Sequence, residues 1–241
     1  NVVQRAEVLS QLTQKTWAGI LVTYPEALQE RVISRQTLLA NTLTLAVGSK
    51  GDLSFFSEWL ISSGFEKTDF VYEPGQFSVR GGILDVFSYA QEFPYRFEFF
   101  GDDIETIRQF NPETQLSIQV ISHASIVPDI TQKLTREQRA SFFSFLPENS
   151  QIWIQNFSST LESVHSGFDR WKKQYDETIQ STDITIILPP EEIAETPDLF
   201  EEHVTQYQVI EFGHRFHFQK AHRISYSTKA QPSFNKKFDL V

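Results

Sequence analysis

The feature that most constrains the fold is a run of short segments between residues 67 and 110 in which apolar and polar side chains alternate. The segments are DFVYEP, QFSVR, ILDVFS, YRFEFF and IETIRQF, and the turn-forming groups EPGQ, GG, AQEFP and GDD lie between them. A period of two is typical of β-strands, and connections this short join antiparallel neighbours. The pattern therefore predicts a mainly antiparallel sheet built from consecutive strands.

A helix is predicted immediately before this sheet. In LSFFSEWLISSGF the apolar residues recur at steps of three to four, Asp52 or Ser54 can cap the first turn, and Gly64 suits the C-terminal end. The preceding GSKGD, residues 48–52, is predicted to be a hinge. One helix followed by a strand meander is a small α+β domain, which we place at residues 49–118.

The sequence on both sides of this domain predicts α/β structure. Before residue 48, a helical pattern to about Ala18, a β-rich run at residues 20–22 and the helical PEALQERVIS follow one another. After residue 118, helical patterns surround the predicted strands QIWIQNF and TDITIILPP, and QYQVIEFG and HFQKAHRISY are the last predicted strands. We therefore predict one α/β domain in two pieces, residues 1–48 and 119–230, with the α+β domain inserted between them.

Composition narrows the classes of function. The formal charge is −10, and non-specific affinity for nucleic acid depends on Lys and Arg, so a general DNA-binding role is disfavoured. No run approaches the roughly 18 apolar residues that a membrane span needs. The chain has no Cys, which excludes disulfides and thiolate metal sites and is compatible with the expected cytoplasmic location. It also has no Met, so we expect a piece of a longer protein.

None of the short motifs predicts an active site. VGSKGD lacks the spacing of a phosphate-binding loop and the hydroxyl residue after Lys that would hold Mg²⁺, and RGGILD is typical of a turn. His214, His217 and His222 lie close in sequence but include no carboxylate, and Asp102 and Asp103 are typical of a solvated hairpin end. We therefore predict no catalytic, cofactor-binding or metal-binding residue, and no enzymatic activity in this chain.

One long ordered pattern resembles a known family. The string YEPGQFSVRGGILDVFSYAQEFPYRFEFFGDDIETIRQFNPETQLS resembles the N-terminal module of the bacterial transcription-repair coupling factors (the Mfd family). That module is itself similar to the nucleotide-excision-repair protein UvrB. The residues that carry the pattern are Gly75, Phe77, Arg80, Gly81, Asp85, Phe87, Pro94, Tyr95, Arg96, Phe99, Phe100, Asp103, Ile104, Ile107, Arg108, Thr114 and Gln115. Weaker resemblance extends to GILVTYPEAL and QPSFNKKFDL on either side.

The resemblance implies a domain assignment. Residues 1–48 would be the latter part of domain 1A, 49–118 domain 2, 119–230 domain 1B, and 231–241 the start of the linker to domain 3. Domains 1A and 1B would together form a truncated, nucleotide-hydrolase-like α/β domain that has lost its ATPase motifs. ATP and Mg²⁺ would then serve the full-length parent, and this fragment would use no cofactor.

The resemblance also implies a protein-docking function. In the family, domain 2 docks the nucleotide-excision-repair protein UvrA, and the matching contact residues here are Arg80, Arg96 and Phe100. The full-length parent would also engage RNA polymerase and double-stranded DNA through other regions, and a C-terminal domain would mask domain 2. The alternative is a fragment of UvrB itself, a DNA-engaging, helicase-like repair protein.

Strand alternation bears on the docking residues independently. In YRFEFF and QFSVR, the pattern places Arg80, Arg96 and Phe100 on one exposed face of the sheet. The same pattern assigns to the core the side chains of Phe77, Val79, Phe97 and Phe99. Replacing any of the three exposed residues with Ala is therefore expected to leave folding almost intact.

Two structural alternatives stay open for these residues. Arg80 or Arg96 could pair with Glu98 as a surface salt bridge, which contributes at most about 1 kcal/mol. Phe100 could instead pack under the predicted helix at about residues 53–63.

Overall fold

The computed structural model describes residues 2–14, 17–129, 139–180 and 188–226. Its helices are α1 (Val2–Leu12), α2 (Pro25–Gln29), α3 (Arg35–Ala40), α4 (Leu53–Ser62), α5 (Phe157–Gln180), α6 (Pro190–Ile193) and α7 (Pro197–Thr205), with a 3-10 turn at Phe142–Phe145. The first strands are β1 (Val32–Ile33), β2 (Leu43–Ala46), β3 (Glu66–Lys67), β4 (Gln76–Arg80), β5 (Ile83–Val86) and β6 (Tyr95–Phe100). The remaining strands are β7 (Asp103–Phe110), β8 (Ser117–Ile121), β9 (His123–Ile126), β10 (Arg139–Ala140), β11 (Gln151–Gln155) and β12 (Gln208–Phe212). These mixed helices and strands confirm an α/β protein.

A six-stranded sheet dominates the middle of the chain. Its strands lie in the order β3-β4-β5-β6-β7-β8, and all neighbours are antiparallel except β3 and β4, which are parallel. The inner face of the sheet and α4 share one core, which includes Phe56, Leu60, Phe77, Phe97 and Ile107. The predicted meander of consecutive strands is therefore confirmed.

Local sequence signals account for the bounds of α4. The Asp52 carboxylate accepts a hydrogen bond of 2.8 Å from the Ser54 N–H and so caps the first turn. At the other end Gly64 has φ +87°, a left-handed conformation that Gly adopts without the steric cost of a Cβ atom. Both signals are visible in the sequence, and the predicted helix is confirmed.

Two predictions about the sheet need correction. DFVYEP, which follows β3, forms no strand. Residues 68–75 run as a loop against the face of the sheet opposite α4, and the Val71 side chain is buried there with Phe87 and Phe110. The alternating run was predicted to end at residue 110, but SIQVI (residues 117–121) adds a sixth strand to the same sheet. The predicted domain boundary at residue 118 therefore falls inside β8.

The two flanking segments share a core. Leu9, Val32 and Leu38 from before the sheet pack with Phe142 and Phe145 from after it. The segments are also joined by the antiparallel pair β1 and β10 and by the bridge between Glu30 and Ala194.

A second cluster lies within the later segment. Strands β11 and β12 are parallel, and α5 and α7 pack on them through Val164, Phe200 and neighbouring side chains. This is the α/β arrangement that the predicted strands QIWIQNF and QYQVIEFG indicated.

Two other strands predicted in the flanking region are not formed. Residues 20–22 form no strand, and the side chains of Ile20 and Val22 are exposed. HFQKAHRISY also forms no strand. Most of TDITIILPP and all of QPSFNKKFDL lie outside the described residues. Among the described helices, none is long and apolar enough to cross a membrane.

Candidate protein-docking surface

The outer face of the six-stranded sheet, opposite α4, carries most of the charged residues of the predicted site. Cross-strand pairing places Ser78, Asp85, Arg96 and Arg108 in one row, because residues directly opposite each other share a face. The neighbouring row contains Arg80, Ile83, Glu98 and Thr106. The sheet thus brings Arg80 and Arg96 to the same face, as alternation predicted.

Both predicted arginines are bound to one buried carboxylate. Asp85 is fully buried. Arg96 binds it with two hydrogen bonds, Nε to Oδ1 at 2.7 Å and Nη2 to Oδ2 at 2.8 Å, and Arg80 Nη2 lies 2.6 Å from Oδ2. Paired, charge-assisted bonds of this kind fix the orientation of a guanidinium as well as its position. We call Arg80, Asp85 and Arg96 the Asp85 cluster.

The cluster changes the acid–base behaviour of Arg96. The hydrogen bonds to Asp85 raise the pKa of the Arg96 guanidinium above its ordinary value, although partial burial opposes this effect. Arg96 therefore stays charged, as the pairing with a buried carboxylate requires.

The expected exposure of the two arginines is wrong for Arg96 and too high for Arg80. The exposed fraction of the side chain is 16% for Arg96 and 34% for Arg80. Alternation assigns each residue to a face, but it does not show the loop that covers part of that face. The alternative salt bridge to Glu98 is also wrong, since Glu98 binds Arg108 Nη2 at 3.0 Å and Thr106 Oγ1 at 2.6 Å.

Aromatic rings support both guanidinium groups. The Arg96 guanidinium lies 4.4 Å from the centre of the Phe110 ring, and that of Arg80 lies 4.5 Å from the centre of the Phe70 ring. The loop at residues 68–75 also contributes the Asp69 carbonyl, which accepts hydrogen bonds from Ser78 Oγ and Arg80 Nη1. Arg80 and Phe70 together form the rim where the covered part of the face meets solvent.

Phe100 is the predicted docking residue that solvent reaches most freely, with 80% of its surface exposed. The Phe99 N–H donates to the Gly82 carbonyl, so the Gly81–Gly82 turn lies beside the end of β6. A Cβ atom on Gly82 would lie only 2.9 Å from the Phe99 carbonyl oxygen, which accounts for Gly at this position. The alternative in which Phe100 packs under α4 is wrong.

The hairpin that carries Phe100 is held in place. Gly48 and Gly51 donate backbone hydrogen bonds to the carbonyls of Ile104 and Asp102, and Lys50 lies 3.7 Å from Asp103. The residues predicted to be a hinge are therefore bonded to this hairpin, which fixes the position of the Phe100 backbone.

Sequence reasoning missed three members of this surface. Phe70 was assigned to a strand, yet it lies on the loop and is 47% exposed. Arg108 pairs with Glu98, and Val120 of β8 is exposed in the next position along the same row. Val120 could have been found only if β8 had been recognised as part of the sheet.

The other motifs weighed in the sequence have structural surroundings in the described residues. No group of three or more His, Asp or Glu side chains in this part of the chain is close enough to hold a metal. His217 binds Glu201 at 2.9 Å, and its ring packs against Phe157. Gly81 has φ +61°, as the predicted turn requires.

Comparison with known proteins finds similarities that include this surface. Residues 43–131 match the model of the UvrB interaction domain, which covers the whole six-stranded sheet and α4. The transcription-repair-coupling factor of Myxococcus xanthus is 36% identical over 138 residues, which are 57% of this chain and 12% of that protein. The transcription-repair-coupling factor of Bacillus subtilis is 30% identical over 137 residues, and that of Escherichia coli is 26% identical over 161 residues. The chain spans only 12% to 14% of the length of these relatives.

Proposed function

We propose that this chain is a recruitment module for DNA repair. Residues 43–131 match the UvrB interaction domain, and the chain resembles the N-terminal module of transcription-repair coupling factors. The matches support a repair-related role. The module would dock UvrA through the outer face of the six-stranded sheet. In the full-length parent, this docking would bring UvrA to RNA polymerase stalled on DNA.

One observation carries the proposal: Phe100 is 80% exposed at the end of β6, within the matched domain, where Phe99 bonds to the Gly81–Gly82 turn that follows Arg80. An exposed aromatic ring on the same sheet as a fixed arginine combines two residue types that are found at the energetic centres of protein interfaces. Burial of the ring in an interface is favourable because it removes apolar surface from water. The oriented guanidinium adds hydrogen bonds of defined geometry.

The three predicted residues differ in exposure, and we assign them different roles in docking accordingly. Phe100 and Arg80 would contact UvrA directly. Arg96, which is largely buried, would act by holding Asp85 and therefore Arg80 in place. Arg80→Ala and Phe100→Ala should each weaken docking by roughly 1–3 kcal/mol.

The flanking segments are proposed to be the non-catalytic platform of this module. Their shared core and the parallel pair β11 and β12 support a two-piece α/β domain of nucleotide-hydrolase type. We propose that the fragment neither binds nor hydrolyses ATP, and that ATP, Mg²⁺, RNA polymerase and double-stranded DNA engage other regions of the parent. Masking of the docking face by a C-terminal domain and a cytoplasmic location belong to the same proposal.

Calorimetric titration of the chain with purified UvrA tests the proposal. The unsubstituted chain should bind, and Phe100→Ala should bind roughly 5- to 150-fold more weakly while melting at the same temperature. Phe55→Ala is the matched control, because Phe55 on α4 is also exposed, at 58%, but lies away from the outer face. Equal binding by the unsubstituted chain and both variants would contradict the docking assignment.

The UvrB alternative makes a different prediction. A DNA-engaging fragment should bind duplex DNA with an affinity that falls steeply with salt. The recruitment module, with its charge of −10, should show almost no such binding.

A further inference from the structure

A groove at the other end of the Asp85 cluster lies along the open edge of β4. It has a volume of about 480 Å³ and runs between residues 67–70 on one side and residues 78–80 on the other. Phe70, Val79 and Arg80 line it, so the groove continues directly from the proposed docking face. Strand β3 ends at Lys67, and in the described part of the chain no strand lies beside Val79 on that side.

The backbone of Val79 points into this groove. The Gln76 carbonyl accepts a hydrogen bond from Phe87, so even-numbered residues of β4 bond to the β5 side. The Phe77 carbonyl accepts from Thr68 on the opposite side. By the same alternation, the N–H and C=O groups of Val79 are directed away from β5 and towards the groove. They form an incomplete edge to which another strand can be added.

We propose that this groove receives an extended segment of UvrA that adds to β4 as a short strand and carries a carboxylate. This inference rests on the proposed docking function and specifies how the partner is bound. Main-chain bonds to Val79 would align the segment, and its side chain would pack on Phe70.

Charge indicates the carboxylate. The ionisable residues that line the groove are Lys67, Asp69 and Arg80. Two cations and one acid leave an excess of positive charge in a chain whose overall charge is −10. Because Arg80 is held by Asp85 at 2.6 Å, its remaining donors are already oriented at the rim. An acidic side chain of the added strand would therefore bind a guanidinium that is already ordered, so binding would not have to order the Arg80 side chain.

Hydrogen–deuterium exchange on the full chain, with and without UvrA, tests this inference at single-residue resolution. The Val79 amide should exchange at least tenfold more slowly in the complex, because it would gain a hydrogen bond that it lacks in the free chain. The amides of β11, which lies in the separate core of the later flanking segment, are the internal control and should not change.

A binding measurement gives a second readout. Phe70→Ala should weaken binding about fivefold with little change in melting temperature, whereas Phe55→Ala should bind like the unsubstituted chain. If UvrA binds and Phe100→Ala weakens that binding, but Val79 exchange is unchanged or Phe70→Ala binds normally, the groove is not used and the inference is overturned. If the unsubstituted chain does not bind UvrA at all, the docking function itself fails and the inference fails with it.

Discussion

At the scale of single residues, the central feature is a fully buried carboxylate shared by two arginines. Burying an ionised carboxylate is costly unless it is paired and hydrogen-bonded, and Asp85 receives three such bonds, of 2.6–2.8 Å. Removing one charge of a buried group like this leaves the other charges uncompensated. Asp85 is therefore a structural requirement of the surface that Arg80 presents.

Asp85→Asn should destabilise the protein by roughly 3–5 kcal/mol, because it leaves Arg96 buried opposite a neutral amide. Glu98→Gln is the matched control: the pair that Glu98 forms with Arg108 is about one third exposed on both sides and should contribute no more than about 1 kcal/mol. Urea unfolding followed by circular dichroism measures both. Equal midpoints for Asp85→Asn and the unsubstituted chain would show that the buried pairing contributes nothing to stability.

The Asp85 cluster also changes an expectation drawn from the sequence. Alternation along QFSVR and YRFEFF assigned Arg80 and Arg96 to the outer face, and the structure places them there. Their burial could not be predicted, because it depends on the loop at residues 68–75, which folds over the sheet. Replacing Arg96 with Ala is thus no longer expected to leave folding intact, since it strips Asp85 of two bonds.

At the scale of secondary-structure elements, β6 offers an internal comparison. Phe97 is fully buried against α4, whereas Phe100, further along the same strand, is 80% exposed. Truncating a buried aromatic ring removes its contacts and leaves a cavity, but truncating an exposed ring does neither.

Phe97→Ala should therefore lower the free energy of unfolding by roughly 3–5 kcal/mol. Phe100→Ala should stay within about 0.5 kcal/mol of the unsubstituted chain. Thermal melts of the two variants beside that chain provide the measurement. A large loss for Phe100→Ala would mean that this ring supports the fold, and its proposed role in docking would have to be abandoned.

The elements that were predicted are those whose signals are local. The helix α4 has its cap and its glycine stop within the sequence of the element, and the hairpins have their turn residues between the strands. The elements that were missed depend on distant partners. DFVYEP alternates like a strand, but Val71 is buried by Phe87 and Phe110, and the Asp69 carbonyl is bonded to Ser78 and Arg80. These contacts hold the segment as a loop.

At the scale of the whole molecule, the sheet is tied to the flanking segments through β2 and β9. These strands pair with each other, and Leu45, Ala124 and Ile126 from them belong to the same core as the sheet. The sequence indicated that the flanks are α/β, but it could not show this junction, because the whole six-stranded sheet lies between β2 and β9 along the chain. Tyr95 of β6 lies at the junction, because its side chain is buried in the same core as Leu45, Ala124 and Ile126.

The junction should make the protein sensitive to alkaline pH. Burial raises the pKa of Tyr95 to about 12, from an ordinary value near 10. Above pH 10 the unfolded chain therefore loses this proton while the folded protein keeps it, so stability must fall as the pH rises from about 10 to about 12. Tyr95→Phe removes this ionisable group.

The Tyr95→Phe variant should thus lose less stability than the unsubstituted chain between about pH 9 and about pH 12, measured as the shift in urea midpoint. Some loss should remain, because burial also raises the pKa of Tyr89 and of Tyr207. Tyr72→Phe is the control: Tyr72 is 54% exposed, and its removal should leave the alkaline loss unchanged. If Tyr95→Phe and Tyr72→Phe respond to pH alike, the Tyr95 phenol is not buried at the junction, and the packing of β6 against β9 must be different.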